Sequence, residues 1–224
     1  MSDRARVLVK EKIADSGVEQ LQELFDVDLG IDMSDEELLE KIGEYDAILI
    51  RSATKLTPEL IERADNMKVI GRAGTGVDNV DIPAATKRGI IVANAPESNS
   101  VAAAEHTLAL ALALFRNVPQ AHASLVAGRW DRGLYKGAEL YGKTLGVIGF
   151  GRIGQLVAKR AQAFDMEVLA FDKFVSAERF KDLGVEGVDS VDEIYKRADL
   201  LTIHLPKTPE TVNWIDAEAI AKFK

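Results

Sequence analysis

The chain has 224 residues, of which 47% are hydrophobic and 29% are charged, and its formal net charge is −8. This length and composition suit two domains of ordinary size and argue against a disordered chain. The negative charge argues against a general nucleic-acid-binding protein, and the absence of cysteine excludes disulfides and cysteine-ligated zinc.

Neither the N-terminal segment nor the most apolar stretch has the pattern of a targeting or membrane segment. MSDRARVLVKEK places charges on both sides of only three consecutive apolar residues, which is not a signal-peptide pattern. VAAAEHTLALALALF is interrupted by Glu105 and His106 and is shorter than the ~20 residues that span a bilayer. We therefore expect a cytoplasmic protein that binds neither membrane nor nucleic acid.

The first block of the chain alternates strand-like runs with helix starts. Short runs rich in Val and Ile predict strands buried on both faces, at residues 7–9, 27–30, 47–50, 68–71 and 90–93. Helix starts are predicted by capping-box spacing at Ser16 and Ser34, by Thr57 before a proline, and by Asp81. Strands that alternate with helices predict a parallel sheet.

A long Ala- and Leu-rich segment, residues 98–115, separates this block from the next. Because Ala and Leu favour helices and the segment is too long for one strand, we expect a buried helix that crosses between two domains. His106 on this helix and the two tryptophans, Trp130 and Trp214, are expected to be packing residues. The predicted domains are residues 1–97 and residues 98–224.

The second block repeats the alternation of strands and helices. Strands are predicted at 145–149, 167–171, 185–188 and 200–205, and helix starts at Ser190 and Asp216. A doubly wound dinucleotide-binding sheet usually carries six strands. With four strands found before Lys224, we expect an incomplete sheet and a chain truncated at its C-terminus.

The sequence GFGRIG joins the first of these strands to an amphipathic helix and carries Gly149, Gly151 and Gly154. In this G-x-G-x-x-G pattern the glycines allow a tight turn, close approach of the backbone to a diphosphate, and close packing of helix on strand. The alternative is a glycine-rich turn with no ligand. The strand before the loop and the helix after it favour a nucleotide site.

Asp172 ends the next predicted strand, 23 residues after Gly149, near the spacing of the acid that binds the adenosine ribose. A carboxylate there would accept from the ribose hydroxyls and repel a 2′-phosphate, so the predicted cofactor is NAD. The adjacent Lys173 leaves NADP open.

Two arginine-bearing loops follow strands of the first block, where ligands of open α/β sheets bind. Arg51 lies in ILIRSATK and Arg72 in VIGRAGTGVDNVD, where Gly74, Thr75 and Gly76 could form a backbone nest for an anion. This pattern favours a small anionic substrate. The alternative is that both arginines are surface residues paired with carboxylates.

These motifs together resemble the D-isomer-specific 2-hydroxyacid dehydrogenases. The matching segments are RSATKLTPELIERADNMKVIGRAGTGVDNVDIPAATKRGIIVANAP, NSVAAAEHTLALALALFRNVPQAHASLVAGRW, GAELYGKTLGVIGFGRIG and HLPKTPET, which cover most of the chain beyond residue 45. The resemblance implies an α/β protein with a flavodoxin-like substrate domain and an incomplete Rossmann-type NAD-binding domain.

The resemblance also implies roles for individual residues. Substrate would be bound by Arg51, Ser52, Arg72, Gly74, Thr75 and Gly76, and the cofactor by Thr75, Gly149, Gly151, Arg152, Ile153, Gly154, Asp172, His204, Leu205 and Pro206. The catalytic arginine, glutamate and histidine of the family arrive after the position of Lys224. We therefore assign no catalytic residue and no metal ligand, and expect this chain alone to be inactive.

Within the family, the resemblance is strongest to the branch that oxidises 3-phosphoglycerate with NAD in the first step of serine biosynthesis. The alternatives are another D-2-hydroxyacid dehydrogenase, such as a glyoxylate or hydroxypyruvate reductase, and a non-catalytic NAD-binding scaffold. The long helix and the segment ASLVAGRWDRGLYKGAEL match the region where family members contact a second subunit. A homodimer or higher homo-oligomer is therefore expected.

Overall fold

The computed structural model describes residues 4–224, which divide into two compact units between Asn99 and Ser100. Each unit is an α/β layered structure built on a wholly parallel sheet. No single helix in this range has the length and hydropathy needed to cross a bilayer. The consecutive helices Ser100–Phe115 and Val118–Val126 meet these two criteria only when they are taken together, and the pair is bent by 65°.

The sheet of the first unit has five strands in the order β2-β1-β3-β4-β5. The strands are β1 (Arg6–Val9), β2 (Asp26–Leu29), β3 (Ala47–Ile50), β4 (Val69–Arg72) and β5 (Ile91–Asn94). This is the flavodoxin-like order. The predicted flavodoxin-like fold is confirmed, and each predicted strand lies within one residue of the observed one.

Four helices connect these strands: α1 (Asp15–Leu24), α2 (Asp35–Lys41), α3 (Pro58–Arg63) and α4 (Ile82–Lys87). Ser34 forms the predicted capping box, and the side chains of Thr57 and Asp81 cap α3 and α4. The predicted box at Ser16 is wrong, since α1 already begins at Asp15 and no side chain caps it. Asp15 instead supplies a negative charge in the first turn, which interacts favourably with the positive end of the helix dipole.

Burial in this sheet depends on strand position. The central strands carry the core, with Leu8, Ile48, Ile50 and Ile70 almost fully buried against side chains of α2 and α3. The edge strands β2 and β5 are largely exposed, so the prediction that every strand is buried on both faces is wrong for them. An edge strand has one neighbour, and the charged residues of β2 suit that position.

The sheet of the second unit has four strands in the order β8-β7-β6-β9. They are β6 (Thr144–Ile148), β7 (Glu167–Phe171), β8 (Glu186–Gly187) and β9 (Leu200–Ile203). Numbered within the unit, the order is 3-2-1-4, which is the start of the Rossmann order. β9 ends before its predicted end, because the chain turns away after His204 and Pro206 has no N–H for the ladder.

Six helices accompany this sheet: α5 (Ser100–Phe115), α6 (Val118–Val126), α7 (Arg152–Gln162), α8 (Ala177–Asp182), α9 (Val191–Arg197) and α10 (Ala217–Ile220). Asp216 caps α10 as predicted. Ser190 caps α9 through the N–H of Asp192, so the predicted box with Glu193 does not form.

The long helix α5 is buried on one face only. Ala104, Leu108 and Ala111 pack inward, whereas the opposite face, including His106, is exposed in this chain. Trp130 is 75% exposed. The prediction of a buried helix therefore holds for one face only, and within this chain the predicted packing roles of His106 and Trp130 are wrong. Trp214 is half-buried and lies edge-on to Phe171 at 6.2 Å between ring centroids, as a packing residue should.

Candidate functional site

The glycine loop of the second unit joins β6 to α7 at the carboxyl edge of the sheet. Gly149 has φ +89°, and a Cβ there would lie 2.6 Å from the carbonyl O of His204. A Cβ on Gly154 would collide with the carbonyl O of Gly149. Both positions therefore require glycine for folding, whereas a Cβ on Gly151 would meet no heavy atom within 4 Å. Gly151 faces open space, as the glycine that admits a diphosphate should.

Asp172, the residue after β7, is tied to this loop. Its Oδ2 accepts from the N–H of Phe150 at 2.7 Å, and its Oδ1 accepts from the N–H of Phe174 at 2.9 Å. The two bonds fix the carboxylate. Because an ionised carboxylate offers about four lone-pair sites, two hydroxyl groups can still donate to it.

A cavity of about 490 Å³ opens beside Asp172, between the ends of β7 and β9. These strands flank β6 on opposite sides, so the cavity lies where the strand order reverses, the usual ligand position in a doubly wound sheet. Its lining includes Gly151, Asp172, Phe174, His204, Leu205, Pro206 and Trp214. The largely apolar wall, the fixed carboxylate and the glycine loop fit an adenine, a ribose and a diphosphate in sequence.

His204 borders this cavity. Its Nε2 lies 2.9 Å from Oγ1 of Thr202, and burial lowers the pKa of the imidazole below its usual range. The half-buried imidazole at the cavity wall is placed to pack against a nucleotide.

Arg152 and Ile153 are the first two residues of α7, which runs for 11 residues from the loop. Their position at a helix N-terminus next to Gly151 is the one from which backbone N–H groups bind phosphate. The structure therefore brings the predicted cofactor-binding residues of the second unit to one edge of its sheet.

In the first unit, the loop after β3 is clamped from two sides. The carboxylate of Glu11 accepts from the N–H groups of Arg51 (2.8 Å), Ala53 (3.2 Å) and Thr54 (2.9 Å). The side-chain amide of Asn79 donates to the carbonyl O of Arg51 and to that of Thr54, both at 2.7 Å. Sequence reasoning missed both residues, although Glu11 lies only two residues after the end of β1, at the carboxyl edge of the sheet.

The hydrogen bonds of this clamp lower the pKa of Glu11. Desolvation raises it, but the three backbone donors from Thr54, Arg51 and Ala53 outweigh that effect and hold the pKa below its usual range. The loop that presents Arg51 and Ser52 is therefore fixed by a charged acceptor.

The second predicted substrate loop differs in part from its expected form. Arg72 is the last residue of β4 rather than the residue after it, and its guanidinium lies directly over Gly74. The N–H of Gly74 donates to the carbonyl O of Arg72, so the predicted backbone nest lacks that donor. Thr75 donates through Oγ1 to Asn99 at 2.6 Å and accepts at its carbonyl from Asn94.

The guanidinium groups of Arg51 and Arg72 are not paired with carboxylates anywhere in residues 4–224. The Nε of Arg72 is buried and has no hydrogen-bond partner within that range. The alternative of surface arginines held by carboxylates therefore does not apply to the described residues. Guanidinium groups without carboxylate partners, placed at carboxyl-edge loops, are compatible with an anion site.

Comparison with known proteins identifies the family to which this chain belongs. Residues 108–224 match the family model described as D-isomer specific 2-hydroxyacid dehydrogenase, NAD binding domain. The chain belongs to this family. The second unit is accordingly an NAD-binding domain, and the predictions of the family and of NAD as cofactor are confirmed.

Individual proteins show how far the likeness extends. The D-3-phosphoglycerate dehydrogenase of Methanocaldococcus jannaschii is 50% identical over 219 residues, which are 98% of this chain and 42% of that protein. The crystal structure of the TT0316 protein from Thermus thermophilus has a TM-score of 0.88 at 35% identity, over 98% of this chain and 70% of that one. A glyoxylate reductase from Paecilomyes thermophila has a TM-score of 0.90 at 29% identity, over 100% of this chain and 71% of that one.

The chain spans about two fifths of the length of the curated dehydrogenases that it matches, namely 42% and 40% of two of them. The family match covers the NAD-binding domain, so the fold and the cofactor of the second unit follow from family membership. Substrate and activity concern the protein as a whole.

Proposed function

We propose that the protein containing this chain is a cytoplasmic enzyme that oxidises 3-phosphoglycerate to 3-phosphohydroxypyruvate with NAD, the first step of serine biosynthesis. Residues 1–97 would form the substrate-binding domain and residues 98–224 the nucleotide-binding domain. The observation that carries the proposal is the pair of guanidinium groups of Arg51 and Arg72, neither bound to a carboxylate within residues 4–224. A substrate with both a carboxylate and a phosphate can use two such cations.

The name of the relative from Methanocaldococcus jannaschii supports this substrate. Oxidation removes a hydride from C2 and a proton from its hydroxyl, and NAD when bound accepts the hydride. Arg51, Ser52 and Arg72, with the loop 74–76, would hold the anionic groups so that C2 is fixed. Residues 149–154, Asp172 and 204–206 would hold the diphosphate, ribose and adenine of the cofactor, while Thr75 would face the nicotinamide.

No side chain in this chain is assigned the proton-transfer role; His204 is placed with the cofactor, at the wall of the nucleotide cavity. Residues 1–224 alone are therefore expected to bind NAD and to show little or no turnover.

A second candidate is a glyoxylate or hydroxypyruvate reductase, favoured by the likeness to the Paecilomyes thermophila enzyme. Its substrates carry a single anionic group and would need one guanidinium rather than two. A non-catalytic NAD-binding scaffold is the third candidate, since the same fold serves both roles.

The deciding experiment uses the whole protein with 3-phosphoglycerate and with D-glycerate, which lacks the phosphate. We expect kcat/KM to be about a hundredfold higher for 3-phosphoglycerate. Of Arg51→Met and Arg72→Met, the substitution at the phosphate should remove most of that advantage with much less change for D-glycerate, and the substitution at the carboxylate should lower both values. Higher kcat/KM for glyoxylate reduction than for phosphoglycerate oxidation would support the second candidate, and NAD binding without turnover would support the scaffold.

We also propose that the protein forms a homodimer through the second unit. An apolar surface, defined here as Val101, Leu110, Leu114, Val118, Leu125, Val126, Trp130, Leu134 and Tyr141, is exposed on α5, α6 and the segment after them. An exposed apolar surface of this kind marks an interaction site, and a symmetric pair of subunits would cover it.

A further inference from the structure

The main chain of Phe150, between the first two glycines of the loop, is held at both of its polar groups. Its N–H donates to Asp172, and its carbonyl O accepts from Nε2 of Gln155 at 2.9 Å. Its ring is fully buried and lies 5.1 Å from the ring of Phe180, measured between centroids. The loop is thus anchored at this one residue from three directions.

Gln155 is itself held by a second side chain. Its Oε1 accepts from Nη2 of Arg179 at 2.8 Å. A guanidinium can only donate and a carbonyl can only accept, so the amide of Gln155 must place its oxygen toward Arg179 and its NH₂ toward Phe150. Arg179 therefore fixes which end of Gln155 faces the glycine loop.

This pair of contacts controls the orientation of the next peptide group. A trans peptide is planar, and its C=O and N–H point in opposite directions. Because Gln155 fixes the direction of the Phe150 carbonyl, it also fixes the N–H of Gly151, which points the opposite way. Within residues 4–224 that N–H has no acceptor, and the space next to Gly151 is open.

We propose that Gln155 and Arg179 are positioning residues for the cofactor, acting as a relay from α8 through α7 to the peptide between Phe150 and Gly151. The relay holds the Gly151 N–H toward the diphosphate before NAD binds. Neither residue touches the nucleotide; Arg179 acts only through Gln155. This role rests on the proposed function, in which the glycine loop binds the diphosphate of NAD.

The first test compares Gln155→Met with Gln162→Met in residues 1–224. Gln162 is a matched control, since it lies on the same helix and its Nε2 donates to the carbonyl groups of Leu183 and Gly184, both at 2.9 Å, away from the loop. NAD affinity is measured by calorimetry, and adenosine affinity by NMR titration, because adenosine lacks the diphosphate.

For Gln155→Met we expect NAD affinity to fall about tenfold, the effect of one well-placed hydrogen bond, with adenosine affinity within about twofold of the wild type. Gln162→Met should leave both affinities unchanged. An unchanged NAD affinity in Gln155→Met, or equal losses for NAD and adenosine, would overturn the proposal. If the wild-type chain binds no NAD at all, the cofactor placement fails instead.

The second test asks whether Arg179 acts through its contact with Gln155. Its single substitutions can be read even if Gln155→Met does not fold, and the double variant separates the relay from a direct charge effect. Arg179 is exposed, so Arg179→Met should fold. We expect it to lower NAD affinity about threefold, and Arg179→Lys, which can still donate to Gln155, to restore most of the loss. A loss that Lys does not restore would contradict the relay. In the Gln155→Met background, Arg179→Met should have no further effect, whereas a persistent loss would show that Arg179 acts by its own charge on the diphosphate.

Discussion

The carboxylate of Asp172 and the backbone N–H of Phe150 are joined by a 2.7 Å hydrogen bond between the end of one strand and the turn after its neighbour. The same carboxylate also holds the N–H of Phe174. Asp172 therefore holds the shape of the glycine loop, in addition to its proposed role in recognising the ribose. A substitution there has consequences for both.

Replacing Asp172 by Asn should weaken NAD binding more than it weakens folding. An amide has one accepting oxygen, so it cannot hold both N–H groups and also accept from the ribose. We expect NAD affinity to fall about tenfold or more and the discrimination against NADP to decrease, since the repulsion of a 2′-phosphate is removed. Calorimetric titration with both dinucleotides measures this.

Asp189→Asn is the matched control, because it removes the same charge near the end of the adjacent strand β8, and Asp189 does not line the 490 Å³ cavity beside Asp172. It should leave both affinities unchanged. Equal effects of the two substitutions would indicate a general loss of negative charge rather than a specific contact.

Replacing Glu11 by Gln should destabilise the first unit. The carboxylate that accepts from Arg51, Ala53 and Thr54 becomes an amide with a single accepting oxygen, which leaves at least one backbone N–H without its partner. We expect a loss of about 2 kcal/mol in the free energy of unfolding, measured by urea denaturation. Glu23→Gln, on an exposed position of α1, is the control and should change it little.

The contribution of Glu11 has a definite pH dependence. Its pKa is lowered in the folded chain, so its stabilisation is present above the unfolded-state pKa of about 4.3 and is lost as pH falls through the lower folded-state pKa. Repeating the denaturation at acidic pH should therefore bring Glu11→Gln and the wild type together. A difference that persists at the lowest pH would contradict the assignment.

The two residues that clamp the Arg51 loop show where sequence reasoning stops. Strands and most helix caps depend on neighbours within four residues, so their patterns are visible in the sequence. Glu11 meets its loop across some 40 residues and Asn79 across 25 and 28, and nothing local marks such pairs. Gly149 and Gly154 were found because the turn they form imposes a fixed spacing.

The errors on His106 and Trp130 have a related cause. His106 lies in apolar sequence and Trp130 is itself a large aromatic residue, and either feature predicts burial without saying against which surface. In this chain the two side chains are exposed, and the surface around Trp130 is the one proposed to meet a second subunit. Composition indicated the apolar character of the segment, but only the folded unit shows which of its faces is inside.

The histidine of the nucleotide cavity should make stability depend on pH near neutrality. Burial lowers the pKa of His204, so the folded chain binds fewer protons than the unfolded one. The free energy of unfolding should fall as pH decreases below about 6.5 and approaches the folded-state pKa. His204→Gln should flatten that part of the profile in denaturation experiments at several pH values. His122→Gln, at an exposed position, is the control, and equal flattening by both variants would contradict the role of burial.

The proposed dimer can be tested at Leu134, which is 75% exposed within the apolar surface of the second unit. Leu134→Glu should convert a dimer into a monomer, because a buried unpaired carboxylate is unfavourable in an apolar interface. Light scattering after size-exclusion chromatography gives the mass. Leu24→Glu, at an exposed leucine of α1, should leave the dimer intact. A monomeric wild type, or an unchanged dimer in Leu134→Glu, would refute the proposed interface.

The most direct measurement is the NAD affinity of Gly151→Ala in residues 1–224, compared by calorimetry with the wild type and with Gly133→Ala. A Cβ at either glycine meets no heavy atom within 4 Å, so both variants should keep the thermal midpoint of the wild type. If the diphosphate lies against the Gly151 backbone, the added methyl occupies its place and NAD affinity falls at least about tenfold, while Gly133→Ala binds as the wild type does. Equal NAD affinity in all three proteins would contradict the placement of the diphosphate at this loop.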